Sequence, residues 1–179
     1  NAKSLDKKLN IRYKKINIER GKKILLNRLP KDKLSAGNFS ARLRMSLLYY
    51  YAAVHNLLVL GTADKSELMI GYFTKFGDAG ADMFPIGELY KSQVKLLAKK
   101  LQLPKEIIQQ PSSPRFWKGQ LAEKEIGLSY DDIDKILDSY VKKNLDNCEL
   151  GKKKIKLVTD MINKSQHKKE KSPVCKLWG

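Results

Sequence analysis

Leu57-Leu58-Val59-Leu60-Gly61-Thr62 is the stretch on which the fold turns. Four apolar residues in a row, closed by glycine and a hydroxyl side chain, have the pattern of a strand buried on both faces, as in a parallel sheet. Upstream, Asn38 or Ser40 caps an expected helix that runs to about His55. Phe39, Leu43, Leu47, Tyr50 and Val54 share one face of it at helical spacing. Downstream, Asp64 is placed to cap a second helix through Ser66, Leu68 and Met69 to Gly71. Helix, strand and polar turn in that order predict an α/β fold, a parallel sheet with helices on both faces. In such sheets ligands bind beyond the C-terminal ends of the strands, which directs attention to Thr62 and the residues after it.

Outward from this unit the chain reads as a single domain over 1–179, without internal repeats. Ala2 to Leu9 has the spacing of a helix end. Residues 11–18 alternate as Ile11/Tyr13 and Ile16/Ile18 and predict a strand. A short helix over 21–29 is stopped by Pro30. Residues 73–85 form a long loop containing Gly and Asp. Residues 87–101 predict a helix with Leu89, Val94, Leu97 and Leu101 inward, and Pro104 closes that region. Residues 109–128, polar and carrying Pro111 and Pro114, predict a mobile loop. Helices are expected over 130–145, begun by Ser129 or Asp131, and over 152–163. Residues 165–179 form a basic tail.

Apolar residues make up 42% of the chain and charged residues 31%, the balance of a soluble globular domain. No run approaches the roughly 18 apolar residues that span a bilayer. Cys148 and Cys175 lie far apart without a CxxC and read as reduced thiols of a cytoplasmic protein. With only His55 and His167 besides, zinc ligation has no supporting spacing. The net charge of +17 comes from 36 basic and 19 acidic residues and raises nucleic acid as a partner. The basic residues are nearly all lysine, scattered along polar faces, whereas base readout and bidentate phosphate contacts favour arginine. Nucleic acid is therefore the weaker reading and polyanionic small molecules the stronger.

Four features could carry chemistry. Thr62 directly follows the expected strand, and Glu67 lies in the next helix, where a hard oxygen suits a phosphate-bound Mg²⁺. On spacing alone, helix capping by Thr62 and dipole compensation by Glu67 explain both equally. The loop over 73–82 gathers Lys75, Gly77, Asp78, Gly80 and Asp82 between aromatics, a composition shared by binding loops and solvated turns. Arg42 and Arg44 stand two apart in an otherwise apolar helix and so face different ways. Lys91 stands near a helix start, where the macrodipole disfavours a cation unless an anion is nearby.

These segments together resemble the NAD synthetase family of the ATP-pyrophosphatase superfamily. The resemblance rests on Gly37-Asn38-Phe39-Ser40-Ala41-Arg42-Leu43-Arg44-Met45, on Leu58 to Thr62 with Lys65-Ser66-Glu67, and on Gly71 to Asp78 with Ala81-Asp82. Pro85-Ile86, Leu89 to Lys91, Pro111-Ser112, Glu125-Ile126-Gly127 and His167-Lys168 follow in family order. It implies an adenine nucleotide alpha hydrolase-like fold and an ammonia-dependent enzyme. The reaction the resemblance implies is attack of the nicotinate carboxylate of deamido-NAD on the α-phosphorus of ATP, departure of pyrophosphate, and displacement of AMP from the acyl-adenylate by ammonia. Thr62, Lys91 and Ser112 should then contact ATP; Arg42, Lys75, Asp82, His167 and Lys168 should contact deamido-NAD; Glu67 should bind Mg²⁺. A homodimer is implied, with Phe39, Leu43, Leu47 and Tyr50 as candidate interface residues.

The chain departs from the family pattern in two places. Ala79-Gly80 stands where the family has two glycines, and no Ser-Gly-Gly phosphate loop occurs. The expectation is a domain lacking its first strand, the phosphate loop and part of the first helix. Two other readings are a non-catalytic nucleotide-binding paralogue and an RNA-binding or RNA-modifying member of the same superfamily.

Overall fold

Pro30 and Asp32 set the start of the longest element. Proline disfavours helix in the residue before it, and the Asp32 carboxylate accepts the Ser35 amide at 2.6 Å as an N-cap. The computed structural model describes residues 9–177. Within it α1 spans Glu19–Leu26, α2 Lys33–His55, α3 Lys65–Ile70, α4 Lys91–Lys100, α5 Lys105–Ile108, α6 Ala122–Ile126, α7 Tyr130–Val141, α8 Lys152–Lys164 and α9 Gln166–Lys169. The helix expected over Ala2 to Leu9 lies almost wholly outside the described residues.

The parallel sheet with helices on both faces is not formed among the described residues. The β pairing there is one isolated parallel bridge, Leu60 to Met83. Two physical reasons are visible. The Val59 amide donates to the Asp82 side chain at 2.6 Å rather than to a strand carbonyl, so the ladder stops after one step. Only Val59 of the apolar tetrad is buried, at 6%, while Leu57, Leu58 and Leu60 are more than half exposed. A parallel strand needs cover on both faces, and this one is covered on one. Residues 11–18 form no strand either: Ile11, Tyr13 and Ile16 are exposed.

α2 begins at Lys33, earlier than Asn38 or Ser40 suggested, so Gly37 lies inside the helix. Its buried positions are Gly37, Ser40, Ala41 and Ala52. The small side chains turn inward, and Tyr50 and Val54 of the expected apolar face stay exposed. α4 starts at Lys91 rather than at 87, and α7 ends at Val141.

The apolar core sits in the C-terminal half. Ile70 of α3, Ala122 and Ile126 of α6, Ile133, Ile136 and Leu137 of α7, and Val158 and Ile162 of α8 form it with Leu128 and Tyr130. α7 is amphipathic, with Ser129 accepting the Asp132 amide as its cap. Each fully buried Ile or Leu contributes roughly 1.5–3 kcal/mol. This packing fixes α3 and α4 against α7, and these two helices carry the charged side chains described next.

Candidate active site

The sequence Asp64-Lys65-Ser66-Glu67 folds into a capping box. The Asp64 carboxylate accepts the Glu67 amide at 3.0 Å, and Glu67 Oε2 accepts the Asp64 amide at 3.2 Å. Two orphan helix donors are satisfied reciprocally, which fixes both carboxylates at the start of α3. Gly71 closes the helix at φ 70°. Lys91, at the start of α4, reaches across to this pair. Its Nζ lies 2.5 Å from Asp64 Oδ2 and 2.6 Å from Glu67 Oε1, and 5.1 Å from the centre of the Tyr130 ring. Asp64 is 1% exposed and meets the ammonium as an ion pair rather than as a well-aligned hydrogen bond.

Burial raises the Glu67 carboxyl above its ordinary pKa, Lys91 opposes this and Asp64 adds to it. Burial by itself would lower Lys91, yet the two carboxylates outweigh it and its pKa stands above the ordinary lysine value. A cation so clamped stays charged. Tyr130, 1% exposed, is raised first by burial and then by Glu67.

A recess of about 370 Å³ opens over this triad. Thr62, Glu67 and Lys91 line it, together with Arg44, Asp78 and Gly80. A second recess of about 210 Å³ adjoins it and contains Phe73, Glu125 and Lys168. The two share Tyr72, Asp78, Pro114 and Phe116 as common wall. Charged side chains stand in both recesses and the Tyr72 and Phe116 rings wall both, a lining that suits a ligand with phosphates and a flat ring.

The sequence profile of the NAD synthase family matches residues 1–172. The chain belongs to that family. An NH3-dependent NAD(+) synthetase of Hyperthermus butylicus is 45% identical over 181 residues, covering 96% of this chain and 65% of the relative. One from Saccharolobus solfataricus is 43% identical, over 94% of this chain and 63% of the relative. This chain thus spans just under two thirds of these curated relatives' length. The solved structure of an NMN synthetase from Francisella tularensis matches with a TM-score of 0.88 at 36% identity, covering 97% of this chain and 71% of that one. An NH3-dependent NAD synthetase from Campylobacter jejuni matches at 0.81 and 32%, covering 98% and 70%.

Among NAD synthase residues expected from the sequence, Thr62, Glu67 and Lys91 converge on one recess. Ser112 does not line it, although Ser113 does; its carbonyl accepts the Ala122 amide at 2.9 Å. Arg42, Lys75, His167 and Lys168 form a chain of contacts on the other side. Arg42 Nε donates to the Lys75 carbonyl at 3.2 Å, and Lys75 Nζ donates to the His167 carbonyl. Lys168 Nζ donates to the Gly71 and Phe73 carbonyls at 2.9 and 3.1 Å; burial lowers its pKa. Asp82 stands at the β-bridge, its carboxylate accepting from the Val59 amide and from the Tyr49 hydroxyl at 3.1 Å. Arg42 also lines an open cleft of about 1230 Å³ between α1 and α2.

Asp64 and Tyr72 were not among the expected site residues, and Asp78 was read only as part of the 73–82 loop. Asp64 was legible only as a helix cap, because its pairing with Lys91 spans a fold contact that local spacing does not encode. Tyr72 donates to Glu125 at 2.7 Å, 53 residues away, for the same reason.

Proposed function

We propose that this chain carries the greater part of a site for ATP-dependent amidation of deamido-NAD by ammonia. The observation that supports it is the Lys91 ammonium held between Asp64 and Glu67 in the same recess as Thr62, in a chain of the NAD synthase family. The nicotinate carboxylate oxygen bonds to the α-phosphorus as the α–β phosphoanhydride bond breaks and pyrophosphate departs. Ammonia then adds to the acyl carbon, AMP leaves with its oxygen, and the nitrogen loses a proton to give the amide. Adenylation is required because a carboxylate is a poor acyl donor, so the protein's work is positioning and charge neutralisation. Lys91 supplies a permanent positive charge for the phosphates. Thr62 offers its hydroxyl at the recess mouth. Lys75 and Lys168, with Arg42, place cationic groups and His167 an imidazole on the side suited to the dinucleotide, and Asp82 offers a carboxylate to its hydroxyls. Ser112 supports ATP through its own segment, next to Ser113 in the recess wall.

Among the described residues no cluster of three His, Cys, Asp or Glu side chains stands ready for a metal ion. Mg²⁺ fits here in the manner it commonly adopts, with one or two carboxylates and the rest of its shell from phosphate oxygens and water. Glu67, with Asp64 behind it, is the hard-oxygen set for it, and the bound ion would neutralise phosphate charge. A second copy of the chain is the natural cover for the exposed face of α2 with Tyr50 and Val54. No helix among the described residues is long and apolar enough to cross a membrane, and we place the protein in the cytoplasm, where ATP and ammonia meet.

The test is titration calorimetry with ATP plus Mg²⁺ and with deamido-NAD, followed by an assay for amide formation with ammonium. Nicotinate mononucleotide is the competing acid to include, because the Francisella relative is an NMN synthetase. Binding of neither nucleotide by the folded chain would overturn the reading. Binding and turnover with the mononucleotide alone would redirect it.

A further inference from the structure

The start of α4 is capped only in part from within the helix: the Gln93 side chain accepts the Tyr90 amide at 2.8 Å. Tyr90, the residue before it, makes no side-chain cap to the helix. Its first two amides are instead held by side chains from two other helices. The Lys91 amide donates to Ser66 Oγ of α3 at 2.9 Å, and the Ser92 amide donates to Asp134 Oδ2 of α7 at 2.8 Å. Ser66 Oγ in turn donates to Asp134 Oδ1. Ser66 is 0% exposed and Asp134 6%. One buried carboxylate therefore ties together the three helices whose junction carries the Asp64–Lys91–Glu67 triad.

We propose that Asp134 is a positioning residue that sets where the Lys91 ammonium stands in the recess. Its carboxylate faces the positive end of α4 and fixes the backbone of Lys91 and Ser92, while its contact with Ser66 fixes α4 relative to the helix bearing Glu67. Without it, the first turn of α4 loses its Ser92 anchor, the Ser66 hydroxyl that holds the Lys91 amide loses its own partner, and Lys91 no longer reaches both carboxylates together. Behind metal ligands, removing such hydrogen-bond partners changes affinity by roughly 10–100-fold, and a loss toward the lower end of that scale is expected here. The link to phosphate binding rests on the function proposed above; the link to Lys91 does not.

The experiment uses the full chain labelled with ¹⁵N at lysine Nζ. An ammonium held by two carboxylates and sheltered from water gives a resonance that survives exchange, assigned by its disappearance in Lys91→Arg. The expected result is that Asp134→Ala loses this resonance while circular dichroism shows a folded protein. Lys154→Met, which removes a different contact to α7, the exposed ion pair with Asp132, should keep it. Survival of the Lys91 resonance in folded Asp134→Ala overturns the proposal, since Asp134 would then serve stability alone. Should Asp134→Ala fail to fold, Asp134→Asn decides: a shifted and broadened resonance supports the proposal, and an unmoved one overturns it. ATP affinity gives the second readout, with a loss of roughly tenfold or more expected in Asp134→Ala and no further loss when Lys91→Met is already present. Equal losses in both backgrounds overturn it. If the unaltered chain binds no ATP, the proposed function fails while the resonance still decides the role of Asp134.

Discussion

Lys91 Nζ lies 2.5 Å from Asp64 Oδ2, a carboxylate that is 1% exposed. The ammonium shares itself with Glu67 at 2.6 Å and is itself only 16% exposed. Removing one partner of such a buried arrangement leaves an uncompensated charge and costs about 3–5 kcal/mol. Lys91→Met should therefore lower unfolding free energy by about that amount. Asp64→Asn should cost less, because asparagine caps a helix about as well as aspartate and Lys91 keeps Glu67. Urea unfolding of the two variants checks the order, and a smaller loss in Lys91→Met than in Asp64→Asn would contradict it.

Glu67 makes a pH prediction with a definite sign. Its folded pKa is raised above the ordinary 4.5, chiefly by burial. Between 4.5 and that raised value, the native state keeps a proton that the unfolded chain has released. This group's contribution to stability therefore falls as pH rises through the window. Protonated Glu67 cannot hold a cation. The Mg²⁺-dependent part of ATP affinity should weaken on acidification while the pH is still above 4.5. In Glu67→Gln that Mg²⁺ dependence should be small at every pH. Calorimetry with and without Mg²⁺, from neutral pH downward, measures both.

The sequence already carried much of this site, because some of its signals are local. Asp64 and Glu67 form a capping box within four residues, Gly71 ends its helix, and Ser129 begins α7; each depends on chemistry that neighbouring residues supply. The Leu57 to Leu60 tetrad was read as a buried strand from its apolarity, but apolarity does not provide a partner. Its pairing stops at one bridge because the Asp82 side chain takes the Val59 amide. The face of α2 misled for a related reason: large apolar residues were assigned to the inside, while the non-helical segments that cover the helix, with Phe116 against Gly37 and Gly77 beside Ala41, chose small side chains. Asp134 was invisible because its partners, Ser66 and Ser92, are 68 and 42 residues away.

Gly71 couples the triad helix to the tail. At φ 70° a side chain is strained, and a Cβ there would stand 2.0 Å from Ser165 Cβ. Ser165 leads into α9, and Lys168 of α9 donates back to the Gly71 carbonyl. Gly71→Ala should cost about 2–5 kcal/mol from left-handed strain and overpacking together, and it should push α9 away. Deamido-NAD affinity should then fall more than ATP affinity, because Lys168 moves and Lys91 does not. Thermal unfolding and paired titrations test this; equal losses for both ligands would show that the tail does not belong to the dinucleotide side.

Phe116 walls both recesses, and Gly37 makes room for it. A Cβ on Gly37 would stand 2.2 Å from Phe116 Cδ2 and 2.7 Å from its Cβ, so the ring and its backbone attachment must both yield. Alanine in place of glycine inside a helix gains roughly 0.5–1 kcal/mol in propensity, while forcing a methyl into a filled site costs about 1–3 kcal/mol. The clash wins, and Gly37→Ala should be destabilised by about 1–2 kcal/mol on balance. The displaced ring enters one recess or the other, so affinity for at least one nucleotide should fall with it. Adding Phe116→Ala removes the clash but leaves a cavity in the shared wall. The double variant should recover less stability than propensity alone would give, and it should bind both ligands weakly. A Gly37→Ala protein as stable as the unaltered chain, binding both nucleotides normally, would show that Phe116 has space to move and does not shape the recesses.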